Sequence, residues 1–115
     1  MVTKAAASVF KPQNMTFNPR FEYGEQAQVA PVCGVDKTTE LGAGYVRMSN
    51  AHIPWTIKYD EMVLVIEGSI TIHVGEEKLT AQAGESIWLP KGTELIYESE
   101  KALLFYSIHP ANWAG

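Results

Sequence analysis

The sequence predicts an all-β sandwich or barrel. Short β-rich runs are punctuated by glycines at 68, 75, 84 and 92, seven to nine residues apart. ITIHV (residues 70–74) alternates in polarity, with Ile70, Ile72 and Val74 on one face and Thr71 and His73 on the other. No window shows sustained helical periodicity, and regular short strands between turn signals are the mark of sandwiches and barrels.

Residues 1–27 are rich in Pro, Asn, Gln and Phe and lack a regular pattern, so they are expected as an arm on the barrel or on a second subunit. Within them residues 4–10 (KAAASVF) could form a turn or two of helix. Residues 28–115 form the expected barrel domain. GYVRMS supplies an early strand, and MVLVI precedes Gly68. VGEEK reads as a hairpin turn, KLTAQ as a polar strand and SIWLP as the next strand. PKG is a turn in which proline presets φ and glycine tolerates positive φ. TELIYES and ALLFYSIH are expected as two final strands.

Composition narrows the function. The 115-residue chain has room for one core, and 46% hydrophobic against 19% charged residues marks it as globular. A net charge of −4 without a basic cluster argues against nucleic acid and anionic membranes. The longest apolar runs are far too short to span a bilayer. The start, MVTKAAASVF, lacks a signal-peptide apolar region, and the single Cys33 cannot build a disulfide framework. These features predict a cytoplasmic protein, with Cys33 a small buried hydrophobe.

Two motifs carry a family resemblance. Glu61 and Gly68 have the E-x6-G spacing of the first cupin motif, and GESIWLPKG (residues 84–92) has the G-x5-P-x-G of the second. PWTIKYDEMVLVIEG, LPKGTELIYES and the ending HPANW resemble the ethanolamine utilization protein EutQ family in its cupin domain, over residues 40–113. The resemblance implies a single-domain, RmlC-like cupin jelly-roll β-barrel that forms a homodimer. It also implies a role in ethanolamine or related amine catabolism, with pathway or microcompartment proteins as partners. Acetate kinase activity is attributed to EutQ, whereas GAG at residues 42–44 lacks the features of a phosphate-binding loop.

Against the general cupin pattern the imidazole ligands are gone. Trp55 and Ile57 stand where the first two histidines would be, and Leu95 where the third would be. Ser99 and Ser49 replace a frequent asparagine and glycine. One carboxylate does not hold a transition metal tightly. His52, His73 and His109 show no spacing that makes them converge. The expectation is no cofactor and no metal.

Trp55, Ile57, Tyr59 and Glu61 alternate and share a face, with Lys58 and Asp60 on the other. Burial then raises the Glu61 pKa. Glu61 and Tyr59 are the candidate catalytic pair. Arg47, Trp55, Tyr97, Tyr106 and Trp88 are the candidate substrate-binding residues, with Arg47 the expected partner of Glu61. Trp113 is expected to cap the barrel or pack on a neighbouring subunit. The leading function is action on, or binding of, a small carbonyl, carboxylate or amine-derived metabolite inside the barrel. The alternatives are a non-catalytic ligand-binding or assembly module and a metal-dependent enzyme with atypical ligands.

Overall fold

A computed structural model describes residues 6–35 and 39–114. The strands are β1 (Asn18–Pro19), β2 (Ala27–Cys33), β3 (Gly42–Thr56), β4 (Asp60–Val74), β5 (Glu77–Gln82), β6 (Ser86–Leu89) and β7 (Glu94–His109). They form a seven-stranded sheet in the order β1-β2-β3-β7-β4-β5, with β6 paired to β4. All pairings are antiparallel.

Three long strands organise the fold. β3 and β7 pair from Gly42↔Ile108 to Thr56↔Glu94. β4 pairs with β7 on one side and, on the other, with β6 along its first half and β5 along its second. Inward residues of both halves meet in one core that includes Ile53, Val65, Ile70, Ile72 and Leu104. Val63 and Val65 face in and Met62 and Leu64 face out, the alternation expected of a strand with one dry face.

Two strand boundaries differ from expectation. TELIYES and ALLFYSIH are one strand, β7, because nothing between them breaks it: Ser99, Glu100 and Lys101 continue the extended chain. The bend is absorbed by its neighbours instead. Asn50 in β3 has φ 46°, and the register of β4 shifts between Gly68 and Thr71. Gly68 therefore lies inside β4 rather than ending a strand. Its φ is +77°, and a Cβ there would stand 2.1 Å from the Lys101 carbonyl oxygen. Gly75 also has positive φ, but its added Cβ would meet nothing within 4 Å, since it sits in the exposed β4–β5 hairpin.

The stretch expected as an arm contributes to the sheet. Asn18 and Pro19 pair with Val29 and Gln28, and the Arg20 amide donates to the Ala27 carbonyl at 3.1 Å. Residues 6–10 carry no regular structure, and the remainder of KAAASVF lies outside the described residues.

Gly68→Ala is expected to destabilise the fold by about 3 kcal/mol or more, combining the positive-φ penalty with a backbone clash. Gly75→Ala bears only the φ penalty, about 1–2 kcal/mol. Urea unfolding of the two variants checks this ordering.

Candidate functional site

The inward faces of β3, β4 and β7 leave a cavity of about 280 Å³. Glu61 is at its centre chemically. It is the second residue of β4, opposite Ile108 on β7 and Leu89 on β6, and only 7% exposed. The Tyr97 hydroxyl, from β7, donates to Glu61 Oε1 at 2.8 Å. Tyr59, two residues before Glu61, points the same way and is 2% exposed.

Arg20 approaches from β1's end of the sheet. Its guanidinium donates to the Tyr59 hydroxyl at 3.3 Å and lies 5.6 Å from the centroid of the Trp55 ring. Trp55 meets Trp113 edge-on at 6.2 Å, and Tyr59 meets Trp113 at 5.2 Å. Trp113 comes from the turn after β7, so the chain's end closes an aromatic cluster around the half-buried side of the cavity. Tyr106 and Cys33 complete this side, Cys33 with its thiol 3.4 Å from the Leu41 carbonyl. Cys33 is thus half-buried at the cavity rather than a core residue.

Electrostatics follow from burial. Desolvation raises the Glu61 carboxyl from 4.5 to about 7, while the Tyr97 hydrogen bond and the Arg20 charge pull it back down. The Tyr97 hydroxyl is driven well above its ordinary value, first by burial and then by Glu61. Burial likewise raises Tyr59, with Glu61 adding to the shift and Arg20 opposing it. Tyr106 is raised to about 12, again mainly by burial. At neutral pH the tyrosines are therefore donors, and Glu61 is poised between its two forms.

The structure brings Glu61, Tyr59, Trp55, Tyr97 and Tyr106 together around one cavity. It does not bring Arg47 or Trp88 there. Arg47 alternates with inward Val46 and Met48, so it points outward, where its guanidinium lies 4.6 Å from the Phe17 ring centroid. Trp88 alternates with inward Ile87 and Leu89 and is 54% exposed on the outer face, opposite Met62. Arg20 fills the role expected of Arg47. Its signal in the sequence was weak, because it follows a two-residue edge strand and lies 39 residues before Tyr59.

A cupin fold raises the question of a metal. Trp55 and Leu95 are cross-strand partners and Ile57 is buried, so the positions of the missing imidazoles offer indole and aliphatic groups. Those side chains do not suit a transition metal, which takes imidazole, thiolate or carboxylate donors. The histidines lie elsewhere. His73 pairs with Glu98 at 2.8 Å, while His52 and His109 are exposed. Among the described residues, no group of three or more His, Cys, Asp or Glu side chains converges.

The sheet order, the continuous bent strands and the inward carboxylate define a jelly-roll cupin. The fold matches that of an RmlC-like cupin from Shewanella frigidimarina NCIMB 400 at a TM-score of 0.73, over 95% of this chain and 96% of that one, with 13% identity. The Clostridium difficile EutQ structure is 30% identical, with a TM-score of 0.72 over 76% of this chain and 70% of that chain. Acetate kinase EutQ of Escherichia coli strain K12 is 33% identical over 79 residues, which are 68% of this chain and 34% of that protein. The chain thus spans about a third of the length of that curated relative. The family model for ethanolamine utilisation protein EutQ matches residues 4–115. This chain belongs to the EutQ family.

Because folding raises the Glu61 pKa, the folded chain holds a proton that the unfolded chain releases. Its contribution is fully present below pH 4.5, declines as pH rises to about 7, and is constant above that. The span corresponds to on the order of 3 kcal/mol. Glu61→Gln is expected to remove this slope, so that the variant gains on the parent between pH 5 and pH 8. Urea unfolding of both proteins across that range measures it.

Proposed function

We propose that the barrel interior takes a small carbonyl or carboxylate metabolite and that Glu61 holds or moves a proton at it. The observation that carries this reading is a buried carboxyl with a pKa of about 7, hydrogen-bonded to Tyr97 within a cavity. A carboxyl tuned to neutral pH serves as acid or base at working pH, and its protonated form donates to a ligand oxygen. Arg20 supplies the positive charge beside it and the tyrosines supply further donors. The family's description supports a role in ethanolamine utilisation, and the name of the E. coli relative makes acetate the first compound to try.

Acetate binding tests the reading by calorimetry between pH 5.5 and pH 8.5. Protonated Glu61 accommodates the anion and ionised Glu61 repels it, so apparent affinity is expected to fall about tenfold per pH unit above pH 7. Glu61→Gln, which keeps a donor and cannot ionise, is expected to flatten the profile. A parent profile independent of pH would remove Glu61 from the site's chemistry. For any carbonyl substrate that is turned over, the same variant is expected to lose about a hundredfold or more in kcat while remaining folded.

We also propose that the chain pairs with a second copy through its outer face. Met62 and Trp88 stand directly opposite each other, Leu64 lies beside them, and all three are exposed and uncharged. Large apolar side chains grouped on a surface favour association. Trp88→Lys is expected to shift the mass measured by light scattering from dimer to monomer.

A further inference from the structure

The cavity's size and lining point past acetate. Its volume of about 280 Å³ corresponds to roughly nine water molecules. A carboxylate with one methyl group fills a small part of that. Most of the wall is apolar: Val46, Met48, Ile53, Val63, Leu104 and Ile108. The polar groups are few, Arg20, Glu61 and the hydroxyls of Tyr59, Tyr97 and Tyr106, and they are set among apolar neighbours, with Ile108 opposite Glu61, Ile53 opposite Tyr97 and Val63 opposite Tyr106. A mainly apolar cavity with a few polar groups is the pattern of a site for a small ligand with an apolar body and a polar end.

The sign of the ligand's charge follows from the same residues. Arg20 is the only basic side chain lining the cavity among the described residues, and Glu61 the only acidic one. Glu61 is about half neutral near pH 7, so the cavity carries net positive charge there. Trp55, Tyr59 and Trp113 would otherwise make an aromatic cage for an ammonium group. That place is taken, since the Arg20 guanidinium already stands over Trp55.

We infer that the site's preferred ligand is a monocarboxylate with an apolar body of several carbons, aromatic or branched. Its carboxylate meets Arg20 and the tyrosine hydroxyls, and its body covers Val46, Met48, Ile53 and Leu104. The inference rests on the interior site proposed above. It adds the ligand's size and charge, and it disfavours ammonium compounds.

The test is a set of dissociation constants for the full chain at pH 6.5, followed by the fluorescence of Trp55 and Trp113 or by calorimetry. The ligands are acetate, butyrate, hexanoate and phenylacetate, with phenylacetamide and phenethylamine as neutral and cationic isosteres. Affinity is expected to rise by about fourfold for each added methylene that enters the cavity. Phenylacetate is expected to bind about tenfold or more tighter than its amide, with phenethylamine weaker still. Arg20→Gln should abolish the preference for acid over amide, read as the ratio of the two dissociation constants in the variant against that ratio in the parent. The isostere series on the parent protein needs no variant to fold. Equal affinity for acetate and the longer acids, or binding of the amine as tight as that of the acid, overturns the inference. Acetate binding with a Glu61-dependent pH profile in that same case would leave the interior site standing. If none of the acids binds, both the inference and the interior site fall.

Discussion

One hydrogen bond organises the interior: Tyr97 to Glu61, 2.8 Å long and shielded from water. A carboxyl in an apolar barrel is costly when charged, and a single tyrosine donor offsets only part of that cost. The balance leaves Glu61 between its two forms near pH 7, so that it offsets only part of the Arg20 charge in the cavity. The state of Glu61 at neutral pH follows from the depth at which β4 places this residue.

The aromatic cluster contributes in a second way. Trp55, at the close of β3, and Trp113, beyond β7, meet edge to face, and Tyr59 leans on Trp113. Edge-to-face contacts add to burial energy and hold rings at defined angles. The cluster orients Arg20, whose guanidinium both stacks on Trp55 and reaches Tyr59. Rings and a guanidinium thus set the geometry at this side of the cavity.

Much of this was legible in the residues. The inward direction of Glu61, Tyr59 and Trp55 follows from strand alternation once any one of them is placed. The same rule, applied to Val46 and Met48, turns Arg47 outward, and applied to Ile87 and Leu89 it turns Trp88 outward. At both positions strand parity, rather than side-chain chemistry, decides the direction. Arg20 was a different case, because a two-residue edge strand has no periodicity to read and its place is set by pairing with β2. The single long β7 was also hidden, since a glycine and an asparagine in neighbouring strands supply the bend that it follows.

The alternation along residues 60–66 has an evolutionary consequence. Glu61 and Val63 face the cavity while Met62 and Leu64 face outward, so chemistry and surface are interleaved one residue at a time. Either set can drift by replacement without disturbing the other. A one-residue insertion or deletion there, however, would exchange the wet and dry sides of the whole segment. The connections between strands tolerate changes of length far better than residues 60–66 do.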